Sequence, residues 1–333
     1  MNLQMYPLSS IDKYLLEELQ NDFPLVSKPY KIIAEKLNIS EETLIEKTKN
    51  LCSEKIIRNI SAIINAGKIG FQSTLVAVRV NENQIDNVAQ RINTHPGVSH
   101  NYLRNHTYNI WFTLTIKKDK DLVKEVGDLL DFSGKEVIDY LILPSVRTFK
   151  IGVNFRFSQK KYDHDKNETI DDKGEIELSS TDKEIINKVQ DNMDIISEPW
   201  KKIASSLNIS EGLLFERIQY LKKSGAIRRI SATINHRKVG ILFNAMCCFK
   251  VSEEQIISAG IKISEHPQLT HCYQRKIFPC KWDYPLFAMV HAESENECEI
   301  ISQSLSQQIN CNDYIILFST KELKKERIKY LTD

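Results

Sequence analysis

The chain has 333 residues, 45 Lys and Arg against 44 Asp and Glu, a formal net charge of +1 and 27% charged residues. That length holds two or three domains, each able to bury a core. Near-neutrality gives no global pull toward a phosphate backbone, so a duplex binder is not the default.

In chain order, apolar residues first recur at helical spacing: Ile11, Leu15, Leu16 and Leu19, then Ile32, Ile33 and Leu37, then Leu44, Ile45 and Leu51. Ser40 is an N-cap for the third helix, with Glu41 and Glu42 in the first turn where the helix dipole favours negative charge. Three short helices with a tight Asn-Ile-Ser turn predict a helix-turn-helix, and the strand-like run 56–64 predicts its wing. The pattern then becomes strand (73–80), helix (82–93), strand (98–105), strand (108–116), helix (120–130) and strand (137–143). This is the βαββαβ order of a ferredoxin-like module, whose sheet carries helices on one face and leaves the other open.

Residues 159–177 are dense in Lys, Asp and Glu and nearly empty of apolar side chains, which predicts a linker. Beyond it the chain repeats itself. Offset by 170 residues, Pro29 to Glu41 (PYKIIAEKLNISE) falls on Pro199 to Glu211 (PWKKIASSLNISE), and Ile57 to Asn65 (IRNISAIIN) on Ile227 to Asn235 (IRRISATIN). One inserted residue then brings His100-x-Tyr102-x-Arg104 onto His271-x-Tyr273-x-Arg275, and a further insertion separates Arg275 from Tyr284, the counterpart of Tyr108. Strands over 244–251, 269–275, 284–291 and 314–319 and helices over 253–264 and 294–307 are predicted for the second module. The expected architecture is α+β, two tandem copies of a winged helix-turn-helix plus a ferredoxin-like βαββαβ module. The units are 1–68, 69–157, a linker at 158–178, 179–238 and 239–333. A short tether raises each copy's effective concentration for the other, so an internal pseudo-dimer is expected, with the open sheet faces packed across a cleft. Such a chain can still form a further homodimer.

No apolar run, such as Ile241 to Phe249, reaches the ~20 residues of a membrane helix, and the N-terminus has no basic-then-apolar signal region, so a soluble cytoplasmic chain and no membrane partner are expected. Seven cysteines, odd in number and without a C-x-x-C pair, read as buried thiols, Cys247-Cys248 above all, ahead of a metal cluster.

The helix-turn-helix followed by βαββαβ, with the I-A-x-x-L-N-I-S-E and I-R-x-I-S-A segments in both copies, resembles the Lrp/AsnC family. At the hairpin between the second and third strands of each module, the first copy carries His100-Asn-Tyr-Leu-Arg104 and Tyr108-Asn-Ile-Trp-Phe112, the second His271-Cys-Tyr-Gln-Arg275 and Trp282-Asp-Tyr-Pro-Leu-Phe-Ala-Met-Val-His291. These segments resemble the signatures of the two subunit types of the siroheme decarboxylase family, over nearly the whole chain outside the linker. One departure is that Pro285 stands where the first copy has Asn109.

The resemblance implies a fused two-subunit enzyme that takes siroheme, an iron isobacteriochlorin with acetate and propionate arms, to 12,18-didecarboxysiroheme by losing two acetate carboxyls as carbon dioxide, in haem or haem d1 biosynthesis. It implies no cofactor beyond the iron that the substrate carries. Strand alternation puts His100, Tyr102 and Arg104 on one face, and likewise His271, Tyr273 and Arg275. Histidine matches proton donation near neutral pH and can ligate iron, and arginine forks carboxylates. His100 and His271 are therefore expected as iron ligands or proton donors, Tyr102 and Tyr273 as catalytic partners, and Arg104 and Arg275 as carboxylate anchors. Tyr108, Tyr284, Trp111, Arg58 and Arg228 complete the expected substrate-binding set, with Arg229 beside them in the wing; Trp111 suits a core better than a pocket.

Two other classes compete. A DNA-binding regulator would use two helix-turn-helix units on a two-fold site, but the recognition-helix starts at Ser40-Glu-Glu and Ser210-Glu-Gly are acidic where base-reading groups are needed, so DNA is not the expected partner. A tetrapyrrole sensor without catalysis is the other.

Overall fold

The computed structural model describes residues 6–131, 136–152, 174–240 and 242–332, and the fold is given for these. Most of the predicted linker lies outside them. In the first copy, α1 (Ser10–Gln20), α2 (Pro29–Leu37) and α3 (Glu41–Ser53) precede β1 (Ile57–Ile64). Ser9 and Asp12 form a reciprocal capping box on α1, and the Ser40 hydroxyl accepts from the Thr43 N–H to start α3. Asn38, left-handed at φ 53°, makes the turn between α2 and α3. The module follows as β2 (Phe71–Val80), α4 (Ile85–Thr94), β3 (Val98–Arg104), β4 (Ile110–Lys117), α5 (Leu122–Asp131) and β5 (Val137–Ile151). The second copy repeats the order with α6 (Ser180–Val189), α7 (Pro199–Ser206), α8 (Glu211–Lys223), β6 (Ile227–Ile234), β7 (Phe243–Phe249), α9 (Ile256–Ser264), β8 (Leu269–Arg275), β9 (Leu286–Ala292), α10 (Glu295–Gln308) and β10 (Tyr314–Lys325).

The two copies join at both ends, more intimately than tethering requires. β1 and β6, each expected to be the wing of its own copy, pair with each other, antiparallel and centred on Ser61 opposite Ser231. The crossing is reciprocal: the Phe23 N–H bonds the Ile230 carbonyl at 2.7 Å while the Met193 N–H bonds that of Ile60 at 2.8 Å. A single core results, uniting Leu15, Leu16 and Leu19 with Ile185, Ile186 and Val189. Fully buried Trp200 fills its centre and donates Nε1–H to the Pro24 carbonyl at 2.9 Å.

The eight module strands close into a barrel in the order β10-β3-β4-β2-β5-β8-β9-β7. The expected cleft between two open faces is thereby the inside of one sheet. Closure comes from strands longer than their hydrophobic patterns: β5 runs to Ile151 and pairs with β8, and β10 runs to Lys325 and pairs with β3. Closure removes the edges that two separate sheets would leave unpaired. Trp111, Leu141, Leu143, Met246, Cys248, Phe287 and Leu317 pack inside. Outside, Val88, Ile92, Val126 and Leu130 seat α4 and α5 on one half, and Ile256, Ile263, Cys298 and Leu305 seat α9 and α10 on the other.

Beyond β10 the chain returns to the helix-turn-helix core. Arg327 donates Nη2–H to the Ala62 carbonyl at 2.6 Å, and Tyr330 exchanges hydrogen bonds with Gln190 at 2.9 Å each. The tail of the predicted 239–333 unit therefore belongs with the other layer. All seven cysteines are free thiols; five are buried, Cys52 is half-buried and Cys280 is exposed, against the expectation of burial. Among the described residues no helix is long and apolar enough to cross a membrane, and no cluster of His, Cys, Asp and Glu could hold a metal ion.

Candidate functional site

On β3, Leu103 joins the core under the helices and Asn101 bonds Asn93 of α4, so the alternate residues His100, Tyr102 and Arg104 face the barrel interior. On β8, beyond an irregularity between Leu269 and His271, Cys272 lies under the helices, so the alternate residues His271, Tyr273 and Arg275 face inward too. His100 and His271 come to one end of the barrel, the end that meets the β1–β6 ribbon. Burial pulls the His100 imidazole down to about 4, and the charges of Lys325 and Arg58 push it the same way. Burial likewise holds His271 at about 4, followed by His100 itself, Arg275, Arg229 and Arg228. The two imidazoles thus feel each other across a cationic mouth, and both are neutral at pH 7.

Each imidazole commits one nitrogen. His100 Nδ1 bonds the Ser99 hydroxyl and His271 Nδ1 the Thr270 hydroxyl, both at 2.9 Å, leaving Nε2 to another partner. Thr270 Oγ1 also meets His291 Nε2 at 3.0 Å, so the second copy links two histidines through one hydroxyl. Each imidazole stacks toward its tyrosine, with centroids 6.3 Å apart for His100–Tyr102 and 6.0 Å for His271–Tyr273. Burial pushes the Tyr102 phenol up to about 12, and burial also raises that of Tyr273.

Arg104 and Arg275 sit deeper and span the seams between copies. Arg104 donates Nη1–H to the Leu317 carbonyl of β10 at 2.7 Å, and Arg275 to the Leu143 carbonyl of β5 at 2.6 Å. Burial lowers both to about 10, so both stay charged at pH 7. Each leaves Nε–H without an acceptor among the described residues. A buried guanidinium with a spare donor is a costly arrangement that an anion would relieve.

Arg58 bonds Asn235 at 3.4 Å and, with Arg237, faces Tyr102 and Lys325; Arg228 and Arg229 face His271. Arg237, Lys325 and Glu322 belong to this mouth, and the sequence reading missed them. Lys325 lies beyond the apolar pattern that ended at residue 319. Arg237 was detectable as a break in the repeat, because its counterpart in the first copy is Gly67.

Three expected binding residues are elsewhere. At about 3.3 Å per residue, β3 carries the chain roughly 13 Å from His100 to Arg104, and Tyr108 lies past the hairpin beyond it. There Tyr108 donates to Asp139 at 2.8 Å, Tyr284 donates to Asp313 at 3.1 Å, and Trp111 donates to the Tyr108 carbonyl at 2.6 Å. Trp111 and Trp282, with rings 5.2 Å apart, fill the far end of the barrel, and the insertion in the second copy supplies Trp282. These side chains close the barrel and do not reach the histidines. The Asn109 side chain clamps Val80 through its N–H and carbonyl at 3.1 and 2.8 Å, a tie that Pro285 cannot make. The backbone role survives, since the carbonyls of Asn109 and Pro285 each accept from the arginine N–H at 2.8 Å.

The helix-turn-helix units are arranged against one another. Ser197 of the second copy donates to Glu41 in the first turn of α3 at 2.7 Å, so the turn that would enter a DNA groove is engaged inside the chain.

A pair of helix-turn-helix units fused to a closed barrel with a cationic, histidine-bearing mouth defines a protein of Lrp/AsnC-type fold built to hold an anionic small molecule. Residues 68–150 and 238–324 match the AsnC-like ligand binding domain, and residues 12–58 and 182–228 match the siroheme decarboxylase NirDL-like HTH domain. The chain belongs to the siroheme decarboxylase family. It is 35% identical over 321 residues to the siroheme decarboxylase of Hydrogenobacter thermophilus, covering 96% of this chain and 94% of that protein. It is 40% identical over 152 residues to the siroheme decarboxylase beta subunit of Methanosarcina barkeri, which covers 46% of this chain and 99% of that subunit. The crystal structure of the siroheme decarboxylase NirDL in co-complex with an iron-uroporphyrin III analogue superposes with a TM-score of 0.73 at 31% identity, over 97% of this chain and 95% of that one.

Proposed function

We propose that this chain is a carboxy-lyase that binds siroheme at the barrel mouth and removes two acetate carboxyls as carbon dioxide, giving 12,18-didecarboxysiroheme for haem or haem d1 synthesis. The observation that carries the reading is the pair of buried, neutral imidazoles brought to one barrel mouth among arginines from both copies. A neutral imidazole whose Nδ1 is fixed by a hydroxyl would keep its Nε2 lone pair available to hold the iron of the substrate. With values near 4, these histidines carry about one proton in a thousand molecules at pH 7, so ligation suits them better than proton donation. The Nε–H groups of Arg104 and Arg275, with Arg58, Arg228, Arg229 and Arg237, supply donors for the carboxylate arms. When carbon dioxide leaves, its bonding pair stays on the methylene carbon, the macrocycle delocalises it, and a proton completes the methyl group. The change is redox-neutral, so we infer no cofactor beyond the substrate's iron. Free thiols suit a reducing, cytoplasmic setting.

The test is to add siroheme anaerobically to the purified chain and follow absorption and product mass. Loss of two carboxyl groups is expected. Pigment bound with its mass unchanged would mark a sensor, and absence of binding would sink the reading. In His100→Ala and His271→Ala the bound pigment is expected to lose its imidazole-ligated spectrum at the corresponding site, and full activity in both variants would remove histidine from the chemistry.

A further inference from the structure

The repeat sets an internal comparison at the hydroxyl behind each imidazole. Thr270 and Ser99, both buried, each bond Nδ1 of the histidine that follows them at 2.9 Å. What stands behind the hydroxyl differs between the copies. His291 and Thr115 occupy the same place. Val290 pairs with Leu269 as Leu114 pairs with Val98, and the next N–H bonds the Gln268 carbonyl at 3.2 Å in one copy and the Gly97 carbonyl at 2.8 Å in the other. On β9, Val290 lies under the helices and Met289 packs toward the barrel interior, so His291 faces inward. There its Nε2 meets Thr270 Oγ1 at 3.0 Å, whereas Thr115 Oγ1 meets the Ser73 hydroxyl at 2.7 Å.

We propose that His291 is a positioning residue for His271 that acts through Thr270: its Nε2 accepts the Thr270 O–H and so fixes His271 in the tautomer that ligates iron. This rests on the functional reading above. An imidazole that gives Nε2 to iron carries its remaining proton on Nδ1 and needs an acceptor there. A hydroxyl left free to turn can instead donate to Nδ1, which stabilises the other tautomer, with Nε2 protonated and closed to iron. With its O–H directed at His291, Thr270 presents only lone pairs to the Nδ1–H of His271. Behind Ser99 stands Thr115 in place of an imidazole, so the tautomer of His100 follows whichever way the Ser99 hydroxyl turns. The two histidines, alike in their motif, are therefore unequal ligands, and His271 is the one preset by the chain itself.

The test uses iron(III) uroporphyrin, a polycarboxylate iron macrocycle, as the probe, and reads its affinity and its imidazole-ligated absorption spectrum in the full chain. In His100→Ala, where His271 is the remaining ligand of the pair, His291→Leu, His291→Thr and Thr270→Val are each expected to weaken binding about 10- to 100-fold and to lose the ligated spectrum. Thermal unfolding profiles check that each variant keeps its fold, and His291→Thr supplies the first copy's own residue at that place. Combining His291→Leu with Thr270→Val is expected to weaken binding no further than either alone, because one acts through the other. His291→Gln, whose amide oxygen accepts from Thr270, is expected to keep the ligated spectrum. In His271→Ala the same substitutions are expected to leave the affinity unchanged. A ligated spectrum that survives both His291→Leu and His291→Thr overturns the inference alone, as does an equal loss of affinity in His271→Ala. A wild-type chain that binds no pigment overturns the functional reading, and this inference with it.

Discussion

Holding two imidazoles neutral inside the barrel mouth ties stability to pH. An unfolded histidine takes up its proton near 6.5, whereas His100 and His271 in the fold do so only near 4. The stabilisation from each is complete above about 6.5 and is lost as pH falls toward 4, because in that window the unfolded chain binds the extra proton. Over the full window a shift of this size is worth about 3 kcal/mol per histidine at 1.36 kcal/mol per unit. Between pH 7 and pH 5 each contributes about 2 kcal/mol, while ordinary carboxylates stay ionised. Mutual repulsion makes the second protonation harder than the first, so the two losses are coupled. Urea unfolding of wild type, His100→Gln, His271→Gln and the double variant at pH 7 and pH 5 reads this directly. The wild type is expected to lose about 2 kcal/mol more than either single variant, and the double variant to show the weakest dependence. Parallel pH dependence in all four proteins would refute the claim that these imidazoles are kept neutral by burial, and with it the preference for iron ligation.

Replacing Arg104 or Arg275 by Met is expected to weaken siroheme binding about 10- to 100-fold, the worth of one charge-assisted hydrogen bond, by absorption titration of the pigment. Trp200→Ala is expected to cost about 3–5 kcal/mol in chemical denaturation, since it empties the shared helix-turn-helix core and leaves the Pro24 carbonyl without its donor. At Gly260 of α9 an added Cβ would lie 2.3 Å from the Phe149 ring of β5. Gly260→Ala is therefore expected to destabilise the seam by about 1–3 kcal/mol, and Gly260→Ala with Phe149→Leu to recover part of that loss.

The duplication, the element order and the inward face of His-x-Tyr-x-Arg were legible because they are local: an offset in sequence, a change of period, an alternation along one strand. What escaped were pairings between copies, which no local period encodes. Residues 56–64 read as a wing because β-branched residues there favour a strand, but nothing in them names β6 as the partner. Strand ends at Ile151 and Lys325 were cut short because Ser145, Arg147, Lys321 and Lys324 break the apolar alternation, although seam hydrogen bonds need only backbone. Tyr108 and Tyr284 belong to the expected site through the resemblance of their segments to the family signatures, whereas the hairpin carries them to Asp139 and Asp313 at the far end.

The Arg104–Leu317 hydrogen bond joins residues 213 positions apart. During synthesis the first copy's triplet is complete in sequence long before β10 leaves the ribosome, but until then β3 is an uncovered edge with a bare guanidinium beside it. A nascent chain stopped after the first copy therefore has a histidine, a tyrosine and an arginine but no enclosed mouth. The first copy's mouth is thus enclosed only when β10, the last strand of the chain order, pairs with β3 and closes the barrel.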